Sequence, residues 1–587
     1  MRGMFEKQHY YTDERNAQIL LALLKAHGIH RIIANPGTTN IAIVGSVQND
    51  PWFEVYSGVD ERHSAYMAVG MAAASGEPVV LSCTGATASR NYIPALTEAY
   101  YRKLPILAIT SMHSFNAVGQ LAPQVLDRTV SPNDVFVAKY SIQTVGTDRE
   151  AVYCANMINA AIHALRRRGG GPVHVNLEES GVMTFNARSL PQVKKISYHS
   201  VADTSSFPEL ARNTKIALFL GSGKVSSAWN DFVACHNVAV IASGDCGYSG
   251  SKRVYASLLT SQKGFCVNPK YAHLTPDLII DAGEVSGDYP SIGYFHSRAP
   301  VWRVSEDGEL RDRFKRLTHL FDMPVTRFVE QYAEGDGGGS YFEAWSRADA
   351  DVRARVPDFP FSNPWISKTM SKCIPNGSVI HFGILNSLRS WNLFPVGDGI
   401  LTSSNVGGFG IDGGVSTLIG ASLATPDKLH FGVFGDLAFF YDLNSLGNRH
   451  IGKNLRILLV NNGCGGEFNM YFHPGSQFKE QTNDYIAAGG HFGQRSRDLV
   501  RHYVTDLGFK YLYASNKEEF SSSLSEFLDP ECNQSIVFEC FTEATDESKA
   551  HEIINGVESF DVCDSSVNKI KSLVPNRIKN AVRELVK

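Results

Sequence analysis

Short apolar runs alternate with stretches of helical apolar spacing through the first third of the chain. Helical spacing is clear over 16–29, while 31–37 and 78–85 are apolar runs that end in a Gly turn and 105–111 is a third apolar run. Apolar runs bounded by turn residues predict buried strands, and the helical period between them predicts helices. The alternation from residue 12 to about 190 therefore predicts a parallel α/β sheet with loops at the strand ends.

The same pattern returns in two further blocks. One begins near residue 215 and ends by 333, and the other runs from about 360 to 545. The segment EGDGGGS (334–340) contains four Gly, which neither hold a helix nor pack a strand and therefore predict a linker. We predict an α/β protein with three doubly wound parallel-sheet domains, at 1–190, 200–333 and 359–545, with a linker and connecting segment at 334–358 and a charged extension at 546–587.

Composition and charge are those of an ordinary globular protein. Apolar residues make up 43% of the chain and charged residues 19%, and 55 Lys and Arg against 59 Asp and Glu give a net charge of −4. The sequence has no block of like charges and no apolar run long enough to span a membrane, so we expect neither nucleic acid nor membrane as a partner. The ten Cys include no CxxC pair, which favours reduced thiols in a cytoplasmic protein.

The strongest chemical signal lies at the ends of two apolar runs in the third block. Asp436 follows Gly435 at the end of one predicted strand, and Asn461 and Asn462 end the next. Neighbouring parallel strands present their carboxyl ends at one edge, so Asp436 and Asn462 are expected to meet. With the Cys464 carbonyl they offer hard oxygen ligands suited to Mg2+ shared with phosphate, and the helix start after Gly435 adds N–H donors. The structural alternative is an Asp-capped helix followed by an Asn-Gly turn.

This pattern resembles the diphosphate-binding motif of thiamine diphosphate (ThDP) enzymes of the acetolactate synthase and pyruvate decarboxylase superfamily. Its motifs are most similar to those of the menaquinone-pathway synthase that joins 2-oxoglutarate to isochorismate. The chain departs from the general motif at Leu437, where the usual residue is Gly. The resemblance implies that the metal ligands are Asp436, Asn462 and the Cys464 carbonyl, and that the cofactor contacts in this domain include Gly435, Asp436, Leu437, Asn462 and Gly463.

The resemblance also implies a carboxylate opposite the cofactor's aminopyrimidine ring, and Glu61 matches it. A Glu in that position shares a proton with a ring nitrogen, so that the neighbouring amino group can act as a base. Glu61 taken alone is more typical of a surface carboxylate, but its D-E-R context and the later C-T-G-x-T-A run favour the catalytic role. The further cofactor contacts implied in the first domain are Pro36, Gly37, Thr84, Gly85 and Thr87.

A third match is the Gly-rich segment 403–424. In the resembling family a large aliphatic residue before Asp-Gly lies under the cofactor and bends it, and here that residue is Ile411, with Gly408 nearby as a further cofactor contact. Gly residues on both sides suit close approach of backbone to a ligand. A buried Ile without any special role is the alternative.

The substrate residues match the menaquinone-pathway synthase less well. Its Ser-Arg is missing from the first Gly turn, Arg389 lies two positions early, and Val406 replaces a third Arg. Glu467 is a candidate proton donor, with a salt-bridged or solvent-facing loop carboxylate as the alternative, and Gln124 and His63 are further catalytic candidates. The tentative substrate residues are Thr38, Arg62, Arg90, His113, Gln120, Asn386, Ser387, Arg389 and Trp391.

The resemblance implies an intracellular enzyme that uses ThDP and Mg2+ to decarboxylate a 2-oxo acid and to transfer the acyl-anion equivalent to an acceptor carbonyl or enone, like acetolactate synthase. A simple 2-oxo acid decarboxylase is one alternative, with Glu467 as the acid. The menaquinone-pathway synthase is another, although the displaced arginines argue against it. A catalytically silent ThDP-fold binding protein is the non-enzyme alternative. The resemblance further implies a pyrimidine-binding first domain, a central spacer domain, a diphosphate-binding third domain and a homodimer or homotetramer.

Overall fold

A computed structural model describes residues 10–202, 207–223, 225–335, 337–397, 399–492 and 495–560. Its strands are β1 Arg31–Ala34, β2 Glu54–Ser57, β3 Val79–Thr84, β4 Ile106–Met112, β5 Ala138–Ile142, β6 Val173–Glu178, β7 Ser197–Ser200, β8 Ile216–Leu220, β9 Val238–Ile241, β10 Arg253–Val254, β11 Leu278–Ala282, β12 Val301–Ser305, β13 Leu317–Asp322, β14 Val379–Phe382, β15 Leu401–Ser404, β16 His430–Gly435, β17 Leu455–Asn461, β18 Lys510–Ala514 and β19 Ile536–Phe541.

The α-helices connect these strands. They are α1 Arg15–Ala26, α2 Ile41–Val47, α3 Glu61–Ser75, α4 Thr87–Asn91, α5 Ile93–Tyr101, α6 Asp148–Ala164, α7 Trp229–Cys235, α8 Ser257–Thr260, α9 Tyr289–Phe295, α10 Val325–Gln331, α11 Tyr341–Arg355, α12 Asn363–Met370, α13 Asn386–Leu393, α14 Gly414–Ala424, α15 Asp436–Tyr441, α16 Leu499–Asp506, α17 Lys517–Phe527 and α18 Ala544–Asn555. Short 3-10 turns complete the connections, among them Gly466–Asn469 after β17.

The chain divides into two compact units, one of residues 1–200 with 307–322 and the other of residues 201–306 with 323–587. The first unit contains a six-stranded sheet in the order β2-β1-β3-β4-β6-β5. The second contains another six-stranded sheet, β15-β14-β16-β17-β19-β18, and the strands β10-β9-β8-β11-β12 of a central sheet. In the first unit, β7 and β13 also pair with each other in parallel.

Burial explains why these sheets are parallel. In β3, Val80 packs into a core with α1 and α6, while Val79 and Leu81 pack into a separate core with α3 and α5. Both faces of the sheet are therefore covered by helices, which is the setting in which parallel sheets occur. The prediction of an α/β fold with three parallel sheets is confirmed.

The segments between the predicted domains hold more structure than the sequence indicated. Part of the predicted linker and connecting segment at 334–358 forms the helix α11. The predicted C-terminal extension begins within α18, and from residue 561 onward it lies outside the described residues. Among the residues that the structure describes, no helix combines the length and apolarity that crossing a membrane requires.

Candidate functional site

Glu61 lies at the start of α3, immediately after the turn that follows β2. Its neighbour Asp60 caps the helix, since the Asp60 carboxylate accepts the backbone N–H of His63 at 3.2 Å. Glu61 is half-buried, whereas Arg62 and His63 are exposed. Arg62 lies 3.9 Å from Asp60, a loose surface contact. The helix start therefore leaves Glu61 half-buried and the next two candidates, Arg62 and His63, in solvent.

Asn35 fixes the turn that carries Glu61. Its side-chain amide donates to the Gly58 carbonyl at 2.6 Å and to the Ser64 hydroxyl at 2.9 Å, and its Oδ1 accepts the Tyr92 hydroxyl at 2.7 Å. Asn35 is 1% exposed and Tyr92 is fully buried. Gly58 is required here, because a Cβ on it would lie 2.0 Å from Ser64 Oγ. Sequence reasoning missed this network, whose members are separated by up to 57 residues.

The two predicted cofactor turns of the first unit touch each other. β1 and β3 are paired with Ala34 opposite Ser82, so the turns after them meet at one edge of the sheet. A Cβ on Gly37 would lie 2.0 Å from Thr84 Cγ2. On the far side of the second turn, a Cβ on Gly85 would lie 2.6 Å from Arg128 Nη2. The glycines at 37 and 85 therefore leave a cradle that side chains would fill.

The remaining candidates of the first unit lie at the surface around this edge. Arg90 donates to the Asp127 carbonyl at 3.0 Å, and His113 Nδ1 lies 2.5 Å from Glu179. Burial raises the pKa of Glu179. Five further candidates take no part in the Arg90 and His113 contacts and are exposed: Pro36, Thr38, Thr87, Gln120 and Gln124.

Asp436 begins α15 directly after β16, beside the end of β17. Its Oδ1 accepts the Leu437 N–H at 2.9 Å. The residue is 4% exposed, and this burial raises the pKa of Asp436 to about 7. Within the described residues no Lys, Arg or His pairs with it. A buried carboxylate of this kind lacks the positive charge that normally compensates it.

The adjacent residues Asn461 and Asn462 serve different purposes. Asn461 Nδ2 donates to Glu539 Oε1 at 2.7 Å, and Asn461 Oδ1 accepts the Gly463 N–H at 3.2 Å. Asn462 Oδ1 accepts the Cys464 N–H at 3.3 Å. Gly463 has a φ of +76°, which favours Gly and turns the loop back toward Asp436. Asn461 therefore shapes the loop. Asn462 Oδ1 and the Cys464 carbonyl, which accepts the Gly466 N–H at 2.8 Å, are each bonded to one backbone N–H and keep a second lone pair that could bind a cation.

This loop borders a pocket of about 670 Å3 in the second unit, with Asn462, Cys464, Tyr485 and Glu543 among its lining residues. The uncompensated Asp436 carboxylate, the Asn462 amide oxygen and the Cys464 carbonyl form a donor set that suits a divalent cation shared with phosphate oxygens. The residues present therefore fit a metal-bridged diphosphate. Gly435 and Leu437 begin α15 and offer further backbone contacts there.

The segment around Ile411 leads into α14. Ile411 is partly buried and packs against a core of the third sheet, and Gly408 is exposed. Gly413 has a φ of +75° and caps α14, whose Ser416 N–H and hydroxyl both donate to Asp442, at 2.5 and 2.7 Å. Asp442 directly follows α15, so these two hydrogen bonds connect the start of α14 to the end of α15.

Arg389 and Glu467 form a bidentate salt bridge. Nη1 lies 2.5 Å from Oε2 and Nη2 lies 2.9 Å from Oε1, and Nη1 also donates to Asn386 Oδ1 at 2.8 Å. Glu467 is therefore a salt-bridged loop carboxylate in this structure, which is one of the alternatives that the sequence leaves open. Trp391, a tentative substrate residue, is 1% exposed and donates to Asn363 Oδ1 at 3.2 Å, and Ser387 is also buried. Both side chains are therefore buried.

Comparison with known proteins agrees with this geometry. Residues 15–131 match the family model described as thiamine pyrophosphate enzyme, N-terminal TPP binding domain. Proteins named 2-succinyl-5-enolpyruvyl-6-hydroxy-3-cyclohexene-1-carboxylate synthase are similar over most of the chain. The one from Bacteroides thetaiotaomicron is 29% identical over 92% of this chain and 98% of its own length. Those from Phocaeicola vulgatus and Flavobacterium psychrophilum are 28% and 26% identical, over 94% and 90% of this chain and 99% and 96% of their own lengths.

The family match covers Glu61 and the glycine cradle, and the long similarities extend through the loop of Asp436 and Asn462. The three parallel sheets agree with the same family. Residues 15–131 are therefore similar to the N-terminal TPP-binding domain of thiamine pyrophosphate enzymes, and nearly the whole chain is similar to the 2-succinyl-5-enolpyruvyl-6-hydroxy-3-cyclohexene-1-carboxylate synthases.

Proposed function

We propose that the protein uses ThDP and Mg2+ to decarboxylate a 2-oxo acid and to join the remaining acyl carbon to an acceptor carbonyl or enone. The observation that carries this proposal is the buried, uncompensated carboxylate of Asp436 beside the Asn462 loop. A divalent cation would supply the positive charge that this buried carboxylate lacks. The presence of Glu61 on a fixed helix start supports the same reaction.

The reaction breaks one carbon–carbon bond and forms another. The bond between the carbonyl carbon and the carboxylate breaks and CO2 leaves. The electron pair left on the former carbonyl carbon forms the bond to the acceptor, whose oxygen then takes a proton. ThDP, when bound, supplies the electron sink that stabilises this pair.

The chain's own residues bind and orient the reactants. Asp436, Asn462 and the Cys464 carbonyl would hold Mg2+, and the backbone at Gly435 and Leu437 would contact the diphosphate. Glu61 would share a proton with the pyrimidine ring, and the Asn35 network keeps its helix start in place. The contact of the Gly37 and Thr84 turns supports a close fit around that ring.

We also propose at least a homodimer in the cytoplasm. In the resembling family the two ends of the cofactor bind on domains of different subunits, and the candidate residues of this chain are likewise divided between its two units. The cysteines within the described residues are free thiols, which supports a reducing compartment. Light scattering measures the molar mass of the purified protein in solution, and a mass equal to that of one monomer would contradict the dimer.

The experiment that tests the reaction compares two matched Glu→Gln variants. With ThDP, Mg2+ and a carbonyl acceptor, the purified protein should release CO2 from pyruvate, 2-oxopentanoate or 2-oxoglutarate. Glu61→Gln should lower kcat by roughly 100-fold or more, the scale of a lost general acid–base contribution. Glu77→Gln, an exposed carboxylate of the first unit paired with Arg31, should leave kcat unchanged. Equal rates for the wild type and Glu61→Gln would contradict the proposal.

A second candidate function is that of the named relatives. Their similarity over 92% of this chain favours a 2-succinyl-5-enolpyruvyl-6-hydroxy-3-cyclohexene-1-carboxylate synthase. Product analysis by mass spectrometry separates the possibilities: that compound from 2-oxoglutarate and isochorismate identifies the synthase, and an aldehyde as sole product identifies a simple decarboxylase. If a calorimetric titration detects no Mg2+-dependent binding of ThDP, the result would favour the catalytically silent ThDP-fold binding protein.

A further inference from the structure

Arg389 is already engaged by carboxylate and amide oxygens of its own chain. Glu467 accepts from both Nη atoms, and Asn386 accepts a third bond. The side chains of Arg389 and Glu467 are each only 15% exposed, and the ring of Phe472 lies 5.0 Å from the guanidinium carbon. The guanidinium is therefore enclosed by a carboxylate, an amide and an aromatic ring.

This pair lies next to the loop that carries the candidate metal ligands. Glu467 is in the 3-10 turn Gly466–Asn469, which begins two residues after Cys464. A Cβ on Gly466 would lie 2.8 Å from Asn462 Nδ2 and 3.2 Å from Asn386 Nδ2. Asn386 thus contacts the loop on one side and Arg389 on the other, so the salt bridge is one side chain away from Asn462.

The charges around Arg389 leave Glu467 as its only ionic partner among the described residues. His551 is fully buried beside Arg389, and burial lowers the pKa of His551 to about 3, so it is neutral near pH 7. Ser390 lies 3.4 Å from His551 Nε2 and carries no charge. If the Glu467 charge alone is removed, the partly buried guanidinium of Arg389 therefore loses its ionic partner. Its two N–H groups would then point at the position that the carboxylate had occupied.

We propose that Glu467 determines substrate specificity by occupying Arg389 with a carboxylate of the chain itself. This inference rests on the proposed function and names its donor class: a 2-oxo acid whose far end is uncharged. A dicarboxylic 2-oxo acid would bind with its second carboxylate at Arg389 only by displacing Glu467 from two charge-assisted hydrogen bonds. The same reasoning assigns Glu467 a positioning role toward Arg389 and not the role of proton donor.

The test measures binding of two five-carbon acids to the ThDP- and Mg2+-loaded protein by calorimetry. Glutarate carries two carboxylates and pentanoate carries one, and neither can react. The variants are Glu467→Gln, Glu467→Ala and the double variant Arg389→Gln with Glu467→Gln. Asp358→Asn is the matched control, because Asp358 is an exposed carboxylate of the same unit paired with Lys517 at 2.8 Å. Circular dichroism melting verifies that each variant is folded.

The wild type and Asp358→Asn should bind glutarate no more tightly than pentanoate. Each Glu467 variant should bind glutarate at least tenfold more tightly than the wild type, with pentanoate affinity changed less than twofold, and the double variant should lose the gain. A wild type that prefers glutarate tenfold, or Glu467 variants without the gain, would overturn the proposal. Because binding needs no turnover, a gain without CO2 release from any 2-oxo acid would refute the proposed reaction and leave the role of Glu467 standing.

Discussion

Asn461 on β17 and Glu539 on β19 are joined by a side-chain hydrogen bond of 2.7 Å at the edge of the third sheet. Glu539 is 1% exposed and also accepts the Tyr511 hydroxyl at 2.8 Å. Burial raises the pKa of Glu539. Since Asn461 in turn accepts the Gly463 N–H, the conformation of the loop that carries Asn462 depends on a carboxylate that is not among the candidate metal ligands.

The Glu539→Ala variant should lower the free energy of unfolding by about 2–4 kcal/mol, because it leaves the buried Asn461 amide and Tyr511 hydroxyl without partners. Glu539→Gln should lose less than about 1 kcal/mol, since its amide can accept from Asn461 and donate to Tyr511. Urea denaturation measures both values. Mn2+ binding, followed by electron paramagnetic resonance, should weaken at least tenfold only in the Ala variant. Equal Mn2+ affinity in the two variants would show that Glu539 does not position the loop.

The Asn35→Ala variant should both destabilise the first unit and slow the reaction. It removes three buried hydrogen bonds, for an expected loss of about 2–4 kcal/mol, and it frees the turn before Glu61. Tyr92→Phe keeps the two bonds that Asn35 donates to Gly58 and Ser64, so it should lose about 1–2 kcal/mol and retain kcat. Urea denaturation and steady-state rates are compared for both. An Asn35→Ala protein with reduced stability and unchanged kcat would assign the network a structural role alone.

The Gly37→Ala variant should weaken ThDP binding about tenfold or more. Its Cβ would lie 2.0 Å from Thr84 Cγ2 and 3.0 Å from Asn40 Oδ1, so one of the two cofactor turns has to move. Gly70→Ala is the matched control, because Gly70 lies inside α3 with no atom within 4 Å of the added Cβ. That control should gain up to about 1 kcal/mol from helix propensity and keep its ThDP affinity. Calorimetric titration with ThDP and Mg2+ measures the affinities, and equal values for the two variants would contradict the close fit.

His163 should make the first unit sensitive to acid. Burial lowers the pKa of His163 to about 3, and its ring centroid lies 5.5 Å from that of His27. Between the folded pKa and the usual value of about 6.5, the unfolded chain binds a proton that the folded chain does not. The neutral ring therefore contributes stability above about pH 6.5, and this contribution is lost as the pH falls toward 3.

Replacement by Phe keeps an aromatic ring and removes the titration. His163→Phe should reduce the slope of unfolding free energy against pH by up to about 1.4 kcal/mol per pH unit between about pH 6 and pH 4. His450→Gln, at an exposed histidine, should leave the slope unchanged. Urea denaturation followed across this range gives the slopes. The same slope in His163→Phe and the wild type would mean that His163 is accessible to protons in the folded state.

Local sequence patterns were sufficient for the sheets and for one half of the site. Buried parallel strands are continuous apolar runs that end in polar turns, so β1, β3 and β4 were visible, and so was the position of Asp436 and Asn462 after neighbouring strands. The helix α11 was not predicted. The Gly-rich residues just before it indicate a linker, and this signal says nothing about the structure of the residues that follow.

Contacts between distant residues were not predictable from these patterns. Arg389 and Glu467 are 78 residues apart, and Asn35 and Tyr92 are 57 residues apart, so no periodicity joins them. Trp391 is among the residues predicted to contact substrate, but the direction of its ring is set by packing against Phe382 and by the hydrogen bond to Asn363. Single-sequence reasoning has no access to such tertiary choices.

The candidate residues for catalysis and binding include several at the carboxyl ends of strands: Glu61 after β2, Thr84 at the end of β3, Asp436 after β16 and Glu467 after β17. The interiors of these strands contribute the apolar cores. A lineage with this architecture can therefore change what it accepts by exchanging one loop, without repacking a sheet. Replacement of a single charge in the turn after β17 would be a short evolutionary step between enzymes for monoanionic and dianionic acids.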